Sequence, residues 1–327
     1  MPQRLAIVTP VLDDWPSLEE LIRRIAGLFS PGDGVSIDII VVDDGSTASD
    51  PPHGFDSLPS GCVASVEVLH LALNLGHQRA IAVGLVEAVE RAAHDAVIVM
   101  DSDGEDRPED IITLVAAGSA RPGRIILAQR TKRSEPLSFR LGYAIYKVMF
   151  RALTGRRIGF GNFCLLPIAA AKRLVHMSEA WNHLAAAIMR SRLGYDEVPT
   201  QRGSRYDGSS HMSLTTLVIH GLSAISIFID IIFVRVLIVG IALATLAVIG
   251  IAIVLVLRFL TPFAFPGWAT SAIGALLGVI MQTVILVVIM TLVVLSGRSS
   301  SPIVPIVDCG KYIRSRRKRP LDTTIKS

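Results

Sequence analysis

Two stretches late in this chain are too long and too free of charge to suit the interior of a soluble domain. Residues 236–257 hold no charged side chain over 22 residues. As a helix they extend about 33 Å, against a bilayer hydrocarbon core of about 30 Å. Arg235 and Arg258 bracket them. A second stretch without Asp, Glu, Lys or Arg runs over 259–297. Its opening residues, Thr261-Pro262-Phe263 and Pro266-Gly267-Trp268, read as a turn with interfacial aromatics, which leaves a helix over about 270–296. The sequence therefore predicts transmembrane helices over 233–258 and 269–297.

Residues 213–232 are apolar but interrupted by His220 and Asp230. They read as a third span or as a helix lying in the membrane interface. Charge placement favours the interfacial helix. With two spans, Lys311, Arg314, Arg316, Arg317, Lys318 and Arg319 return to the side of the N-terminal region. Three spans would put that cluster outside, against the positive-inside tendency. The stretch 298–327 is accordingly expected to be a basic cytoplasmic tail.

The rest of the chain is a different polymer. Hydrophobic residues make up 51% of the sequence and charged ones 18%, too apolar for an ordinary soluble enzyme. The excess is confined to 213–297, and residues 1–212 have a globular composition. The net charge of +4 is concentrated near the C-terminus. A basic run just past a hydrophobic span reads as a topology signal or an anionic-lipid contact, and no nucleic-acid partner is expected. The 3 cysteines, Cys62, Cys164 and Cys309, are too scattered for a disulfide framework or a zinc site. The N-terminus lacks a secretory pattern, since Leu5-Ala6-Ile7-Val8 is only strand-sized, so the head is expected in the cytosol.

Within the head, strands alternate with helices. Strands are predicted at 5–8, 37–42, 66–71, 96–100 and 124–128, with helices over 17–29, 77–93 and 108–117. Strands this apolar on both faces imply a mostly parallel sheet covered on both sides. Ligands of such sheets bind beyond the carboxyl ends of the strands. Two strands end there in acids: Asp43 and Asp44, then Asp101 and Asp103. One such pair could be ordinary turn chemistry. Two pairs at equivalent rims, with Glu105 and Asp106 adding charge, suit a hard cation bound to a diphosphate.

The order Thr9-Pro10-Val11-Leu12-Asp13-Asp14, Val41-Val42-Asp43-Asp44-Gly45-Ser46, Leu73-Asn74-Leu75-Gly76-His77-Gln78-Arg79-Ala80 and Met100-Asp101-Ser102-Asp103-Gly104-Glu105-Asp106 resembles glycosyltransferase family two, of the GT-A fold. More narrowly it is similar to the polyprenyl-phosphate sugar transferases, the dolichyl-phosphate mannose synthases and bactoprenol glucosyltransferases. Gly161-Asn162-Phe163-Cys164, the run from Arg202 to Met212, and the two-helix tail support that branch. The resemblance implies a Rossmann-like head and an inverting, metal-dependent hexosyltransferase of the inner (plasma) membrane. Its substrates would be a UDP- or GDP-linked sugar and a polyprenyl phosphate lipid, and its cofactor Mg2+ or Mn2+.

Residue by residue, the resemblance implies donor binding by Pro10, Asp14, Asp43, Asp44, Asn74, Gly76, Gln78 and Ser102. Asp101 and Asp103 would position the metal, with Glu105 where the family usually has a Gln. Arg130, Lys132, Arg133, Arg205 and Ser210 would meet the acceptor phosphate, and Arg202 and Arg205 match the family's Arg-x-x-Arg. Asp101, Asp103, Arg130, Arg202 and Arg205 are thus the expected catalytic set. Family members usually read Gly-Asp-Phe-Arg where this chain has Gly161-Asn162-Phe163-Cys164, and His211 replaces a Lys. Asn162 is no base, but an anionic lipid phosphate needs none. Two rival readings stand beside this one: a membrane transferase with a hydroxyl acceptor, and a silent relative acting as an assembly partner. Donor sugar and oligomeric state, including a homo-oligomer, are left open. Arg140, Lys147, Arg151, Arg156 and Arg157, with Phe139, Tyr143, Tyr146 and Phe150, read equally as a membrane-surface helix and as a helix packed on the head. His77 and His211 read as ordinary surface or packing residues, and Cys164 as a small core residue.

Overall fold

The computed structural model describes residues 3–48, 61–130, 137–156, 159–207, 214–261, 267–299 and 301–320. In chain order the elements are β1 (Gln3–Val11), α1 (Trp15–Ala26), β2 (Val35–Asp43), β3 (Val63–Leu71), α2 (His77–Glu90), β4 (Ala96–Val99), α3 (Asp110–Ala120), β5 (Ile125–Arg130) and α4 (Leu137–Thr154). There follow β6 (Cys164–Pro167), α5 (Ile168–Val175), α6 (Glu179–Asn182), α7 (Leu184–Arg190), β7 (Tyr195–Thr200), α8 (Leu214–Ser226), α9 (Ile229–Leu260), α10 (Trp268–Ser299), α11 (Pro305–Asp308) and β8 (Ile313–Pro320). They divide into two compact units: Met1–Tyr146 with Ile158–Ile227 and Pro302–Ser327, and Lys147–Arg157 with Phe228–Ser301.

In the first unit 8 strands form one sheet in the order β7-β5-β6-β4-β1-β2-β3-β8. β3, β2, β1 and β4 are parallel neighbours, β5 pairs parallel with β7, and β6 and β8 run antiparallel. The expected mostly parallel sheet is present. β1 and β2 are buried almost throughout because their Ile, Leu and Val side chains fill both faces. Leu18, Leu21, Ile22 and Ile25 form the buried stripe of α1, at the 3–4 residue spacing of an amphipathic helix. Strand order reverses between β1 and β4, which opens a crevice at their carboxyl ends.

The basic C-terminal segment is not a free tail. Ile313–Pro320 pairs antiparallel with β3, with Leu69 opposite Arg316 and Glu67 opposite Lys318. The β3 edge has a full row of backbone donors and acceptors to satisfy, and a charged strand covers it without inviting further pairing. Arg316 reaches Glu87 of α2 at 3.2 Å. Just before the strand, the Tyr312 carbonyl accepts from Ala72 N–H, and the Tyr312 and Trp181 rings lie 5.3 Å apart. A charge count cannot distinguish such an edge strand from a solvated run.

The second unit is dominated by α9 and α10, both long and apolar enough to cross a membrane. Only 11% and 0% of their most apolar windows is buried, so they are not core helices of a soluble domain. α9 begins at Ile229 and takes in residues 229–232, which the sequence assigns to the preceding helix; that helix, α8, ends at Ser226.

Candidate active site

β1 and β2 run side by side, so the loops that follow them meet. Asp13, at a φ of 52°, accepts from the backbone N–H of Thr47 and Ala48 at 2.8 Å each, and its own N–H donates to Ser46 Oγ. Asp13 is therefore the acid that locks this loop pair. Asp14 is half-buried at the start of α1, and its side chain makes no capping bond. Pro10 takes part through its carbonyl, which accepts the Ser102 hydroxyl at 3.0 Å. That bond ties the end of β1 to the loop after β4.

Asp43 and Asp44 are both 4% exposed, and both side chains already have partners. Asp43 accepts from Ser46 N–H at 2.8 Å and lies 2.9 Å from His70 Nδ1. Asp44 accepts from Leu75 and Gly76 N–H at 2.7 and 2.9 Å. Burial raises its pKa, against the pull of those two bonds. Gly45 makes this packing feasible, because a Cβ there would lie 2.8 Å from Asn74 N. These acids shape the loops after β2 and β3. Asn74 is exposed on that loop, and Gly76 opens α2 at a φ of 92°. Gln78 differs from expectation: it is 9% exposed and its Oε1 accepts from Leu184 N–H at 2.8 Å. It joins α2 to α7, and a polar residue at the second position of a helix gives no sequence sign of which side it faces.

The loop after β4 is charged in a different way. Asp101, Asp103, Glu105 and Asp106 meet Arg130 from the end of β5 and Arg202 and Arg205 from beyond β7. Arg130 reaches Asp106 at 2.7 Å and Glu105 at 3.4 Å. Arg202 reaches Glu105 at 2.8 Å, and Arg205 reaches Asp103 at 2.6 Å and Glu105 at 3.6 Å. The backbone holds the loops together: Gly203 N–H donates to the Glu105 carbonyl and Tyr206 N–H to that of Asp103. Gly203 must be a glycine, since a Cβ there would fall 2.1 Å from the Gly104 carbonyl oxygen. The Tyr206 ring lies under Arg24, 4.7 Å from its centroid.

Burial and crowding set the protonation of this cluster. Asp101 is pushed up to about 7, by burial and then by the neighbouring Asp103. Asp106, 2% exposed, is pushed up to about 7 by burial and then by Asp101. Burial also acts on Glu105, but the three arginines outweigh it and hold the carboxyl below its usual value. Burial opposes the charge of Arg130, yet Asp106, Asp101 and Glu105 keep it above the ordinary arginine value.

As cation ligands, these side chains are not an assembled cage: no group of three His, Cys, Asp or Glu side chains that could hold an ion occurs among the described residues. Glu105 in particular faces arginines. Asp101 Oδ1 is buried and lacks a hydrogen-bond partner among the described residues; His77 Nε2 lies 3.3 Å away. A carboxylate oxygen left short of counter-charge in a set of hard oxygen donors fits a divalent cation. Lys132, Arg133, Ser210 and His211 lie outside the described residues.

Residues 6–164 match the sequence model of the family described as glycosyl transferase family 2. The matched stretch, just under half of the chain, is similar to that family. The match ends inside β6, so Arg202 and Arg205 lie beyond it. No curated protein matches the chain. Among solved structures, it is similar to glucosyl-3-phosphoglycerate synthase from Mycobacterium tuberculosis in complex with Mn2+, UDP-glucose and phosphoglyceric acid. The identity is 18%, the coverage 70% of this chain and 80% of that one, and the TM-score 0.50. The complex of that enzyme with Mn2+, UDP-glucose and glycerol 3-phosphate gives 17% identity, the same coverage and a TM-score of 0.50. At such identity the likeness is one of fold.

Two members of the charged cluster were not legible as site residues. Asp106 reads as surplus charge until β5 brings Arg130 to it. His77 reads as a surface residue, yet its Nε2 lies 3.3 Å from Asp101 and 3.2 Å from Asn162 Nδ2. Desolvation holds this imidazole below its usual pKa in spite of Asp106, Asp103 and Asp44. The available signal was its position straight after Gly76, at the start of a helix following a strand end. Cys164 is fully buried in β6 and burial raises its thiol pKa, as its reading as a core residue requires.

Proposed function

We propose that this protein is an inverting glycosyltransferase that moves a sugar from a UDP- or GDP-linked donor to a polyprenyl phosphate in the inner membrane, with its head on the cytoplasmic side. The observation that carries the reading is the set of three arginines held by acids at the strand ends. Arg130, Arg202 and Arg205 converge from two separate segments on one carboxylate, Glu105. Such guanidinium groups can exchange carboxylate for phosphate oxygens in the same fork geometry. Two phosphate-bearing substrates need such a set, one to hold the donor diphosphate and one to draw in the acceptor. A relative of this fold taken in complex with Mn2+ and UDP-glucose supports the same donor chemistry.

Asp101 and Asp103 would hold a divalent cation, with Glu105 left as the anchor of the arginines. That ion, when bound, offsets the charge on the diphosphate and on the departing nucleotide. The chain's own residues do the rest. Arg205 releases Asp103 as it takes up a phosphate, and Arg130 stays fixed by Asp106. A lipid phosphate oxygen attacks the anomeric carbon, the bond to the nucleotide diphosphate breaks, and the configuration inverts. The nucleophile is already anionic, so positioning and electrostatics supply the rate.

The membrane placement draws support from β8. Strands on either side of α9 and α10 pair in one sheet, which fits two spans between them and supports reading α8 as an interfacial helix. Arginine-rich segments favour the cytoplasmic side.

Purified protein in vesicles, given labelled UDP- and GDP-sugars, Mg2+ or Mn2+ and a polyprenyl phosphate, should form a lipid-linked sugar. Donor binding without transfer to any acceptor would leave the chain a silent relative and sink the proposal. One observation favours a second reading, a hydroxyl acceptor: His77, its pKa lowered by desolvation, lies 3.3 Å from Asp101 and can accept a proton from a hydroxyl. Under that reading His77→Ala costs about 10²–10⁴-fold in turnover, and transfer goes to a neutral glycolipid. With a phosphate acceptor, the same change costs less than about tenfold.

A further inference from the structure

Residues 73–76 join β3 to α2 at the rim of the sheet, and Leu73 and Asn74 stand exposed there. The next residue, His77, reaches Asp101. An exposed loop keeps one shape only where its ends are tied. Both ends of this one are tied to the far end of the chain. β8 runs antiparallel to β3, so it begins at the rim where β3 stops. The register slips there: Ser315 pairs with His70, but Ile313 pairs with Leu71. Such a bulge inserts one extra residue, Arg314, and draws Tyr312 up to Ala72. The Tyr312 carbonyl accepts from Ala72 N–H at 2.8 Å, which ties the loop just before it starts. The Tyr312 ring lies 5.3 Å from that of Trp181, tilted by 31°. Trp181 is buried, and the Arg79 guanidinium sits 5.7 Å from its centroid on the other contact. Arg79 belongs to the first turn of α2, so this column ties the loop just after it ends.

We infer that Tyr312 is a positioning residue for the sugar donor: it holds residues 73–76 and the first turn of α2 in the arrangement that receives the nucleotide. The inference rests on the nucleotide-sugar reading above and adds to it a residue outside the stretch that matches the family model. Covering the β3 edge requires only the backbone of β8, and it calls for no aromatic ring at the rim. Tyr312 has no place among the acids and arginines of the cluster. Its effect is to order an exposed loop beforehand, a cost that donor binding would otherwise bear. It should therefore act on donor affinity and not on the chemical step.

The test uses the full-length protein in detergent, with UDP and GDP, each with Mn2+, as probes in calorimetry. Hydrogen exchange is measured beside it on the nucleotide-free protein. Tyr312→Ala should raise the Kd of whichever nucleotide binds by about tenfold, and exchange at Leu75 and Gly76 should quicken by a similar factor. In the transfer assay the donor KM should rise while kcat stays within about twofold. Tyr312→Phe keeps the ring and should match the wild type. Arg316→Ala removes a contact to Glu87 farther along β8 and should match it too. Arg79→Met alters only an exposed side chain, so it reports even if Tyr312→Ala does not fold; exchange at the same two amides should quicken about threefold. Exchange that is unchanged at Leu75 and Gly76, or that quickens equally along β1, β2 and β3, overturns the inference, as does a fall in kcat alone. The two readings fail separately. If the wild type binds neither nucleotide while Tyr312→Ala loosens only residues 73–76, the donor reading falls and the clamp on the loop stands. If the wild type binds a nucleotide and Tyr312→Ala binds it as tightly, the inference falls alone.

Discussion

The carboxylates after β2 and those after β4 share a sheet rim and a sequence signature, but they are neutralised by different means. After β2, Asp43 and Asp44 turn inward to backbone N–H groups and to His70, and they hold the loops after β2 and β3 in shape. After β4, the acids meet arginines from distant segments, and desolvation with mutual repulsion raises Asp101 and the buried Asp106 to about 7. The first pair is satisfied in the folded chain. The second group is held in a balance of charge that a cation and a phosphate can enter. The two acidic strand ends differ in whether mainly backbone N–H groups or arginine side chains balance their charge.

Substitutions can break this contrast. The largest effect is expected from Asp103→Asn, which keeps the shape of the loop but removes the charge facing Arg205. Transfer of labelled sugar should fall about 10²–10³-fold, with the melting temperature nearly unchanged. Asp44→Ala should do the reverse. It leaves the Leu75 and Gly76 N–H groups unpaired at a buried position, at a cost of about 2–4 kcal/mol in denaturant unfolding, and activity should fall only as far as folding does. A rate loss in Asp44→Ala with full stability would move Asp44 into the chemistry and erase the distinction.

Gly203→Ala comes next. Its Cβ has no room beside the Gly104 carbonyl, so the two loops must part, at about 1–3 kcal/mol. The Arg202 and Arg205 contacts should loosen with them, which a raised KM for the donor would report.

The smallest effect is one of pH. Asp101 and Asp106 titrate near 7 in the folded protein, against an ordinary value of 3.8. Between about pH 4 and 7 the folded chain retains protons that the unfolded chain has released. Stability without metal should then fall as pH rises through that window. Mn2+ takes the place of those protons, so it should flatten the trend and bind more tightly at pH 8 than at pH 6. Melting curves at pH 5 and 8, with and without Mn2+, measure both. A pH-independent response to Mn2+ would remove these two acids from the ion's surroundings.

Much of the frame was legible because it depends on local pattern. Strands β1, β2 and β4 follow from runs of β-branched residues, α1 from its apolar spacing, and α9 and α10 from length and the absence of charge. The residues Asp101, Asp103, Arg130, Arg202 and Arg205 stood out as short motifs and do come together. Gln78 did not join them, because the face a helical residue presents depends on which neighbour the helix packs against. Asp43 and Asp44 read like the second acidic pair, because sequence shows the acid and not the N–H groups that satisfy it.

What the sequence determined by itself was the division of the chain: a head of alternating strands and helices, two long apolar helices, and acids at the ends of two strands. These rest on periodicity and composition, which neighbouring residues express without reference to the fold. Tertiary structure decided that the basic C-terminal run closes the sheet as β8, that Asp106 and His77 join the cluster, and that Glu105 faces arginines. Each of these depends on pairing between segments from 24 to more than 200 residues apart. No local pattern encodes such pairing, because the partner that satisfies a charge or a strand edge is chosen only when the chain folds.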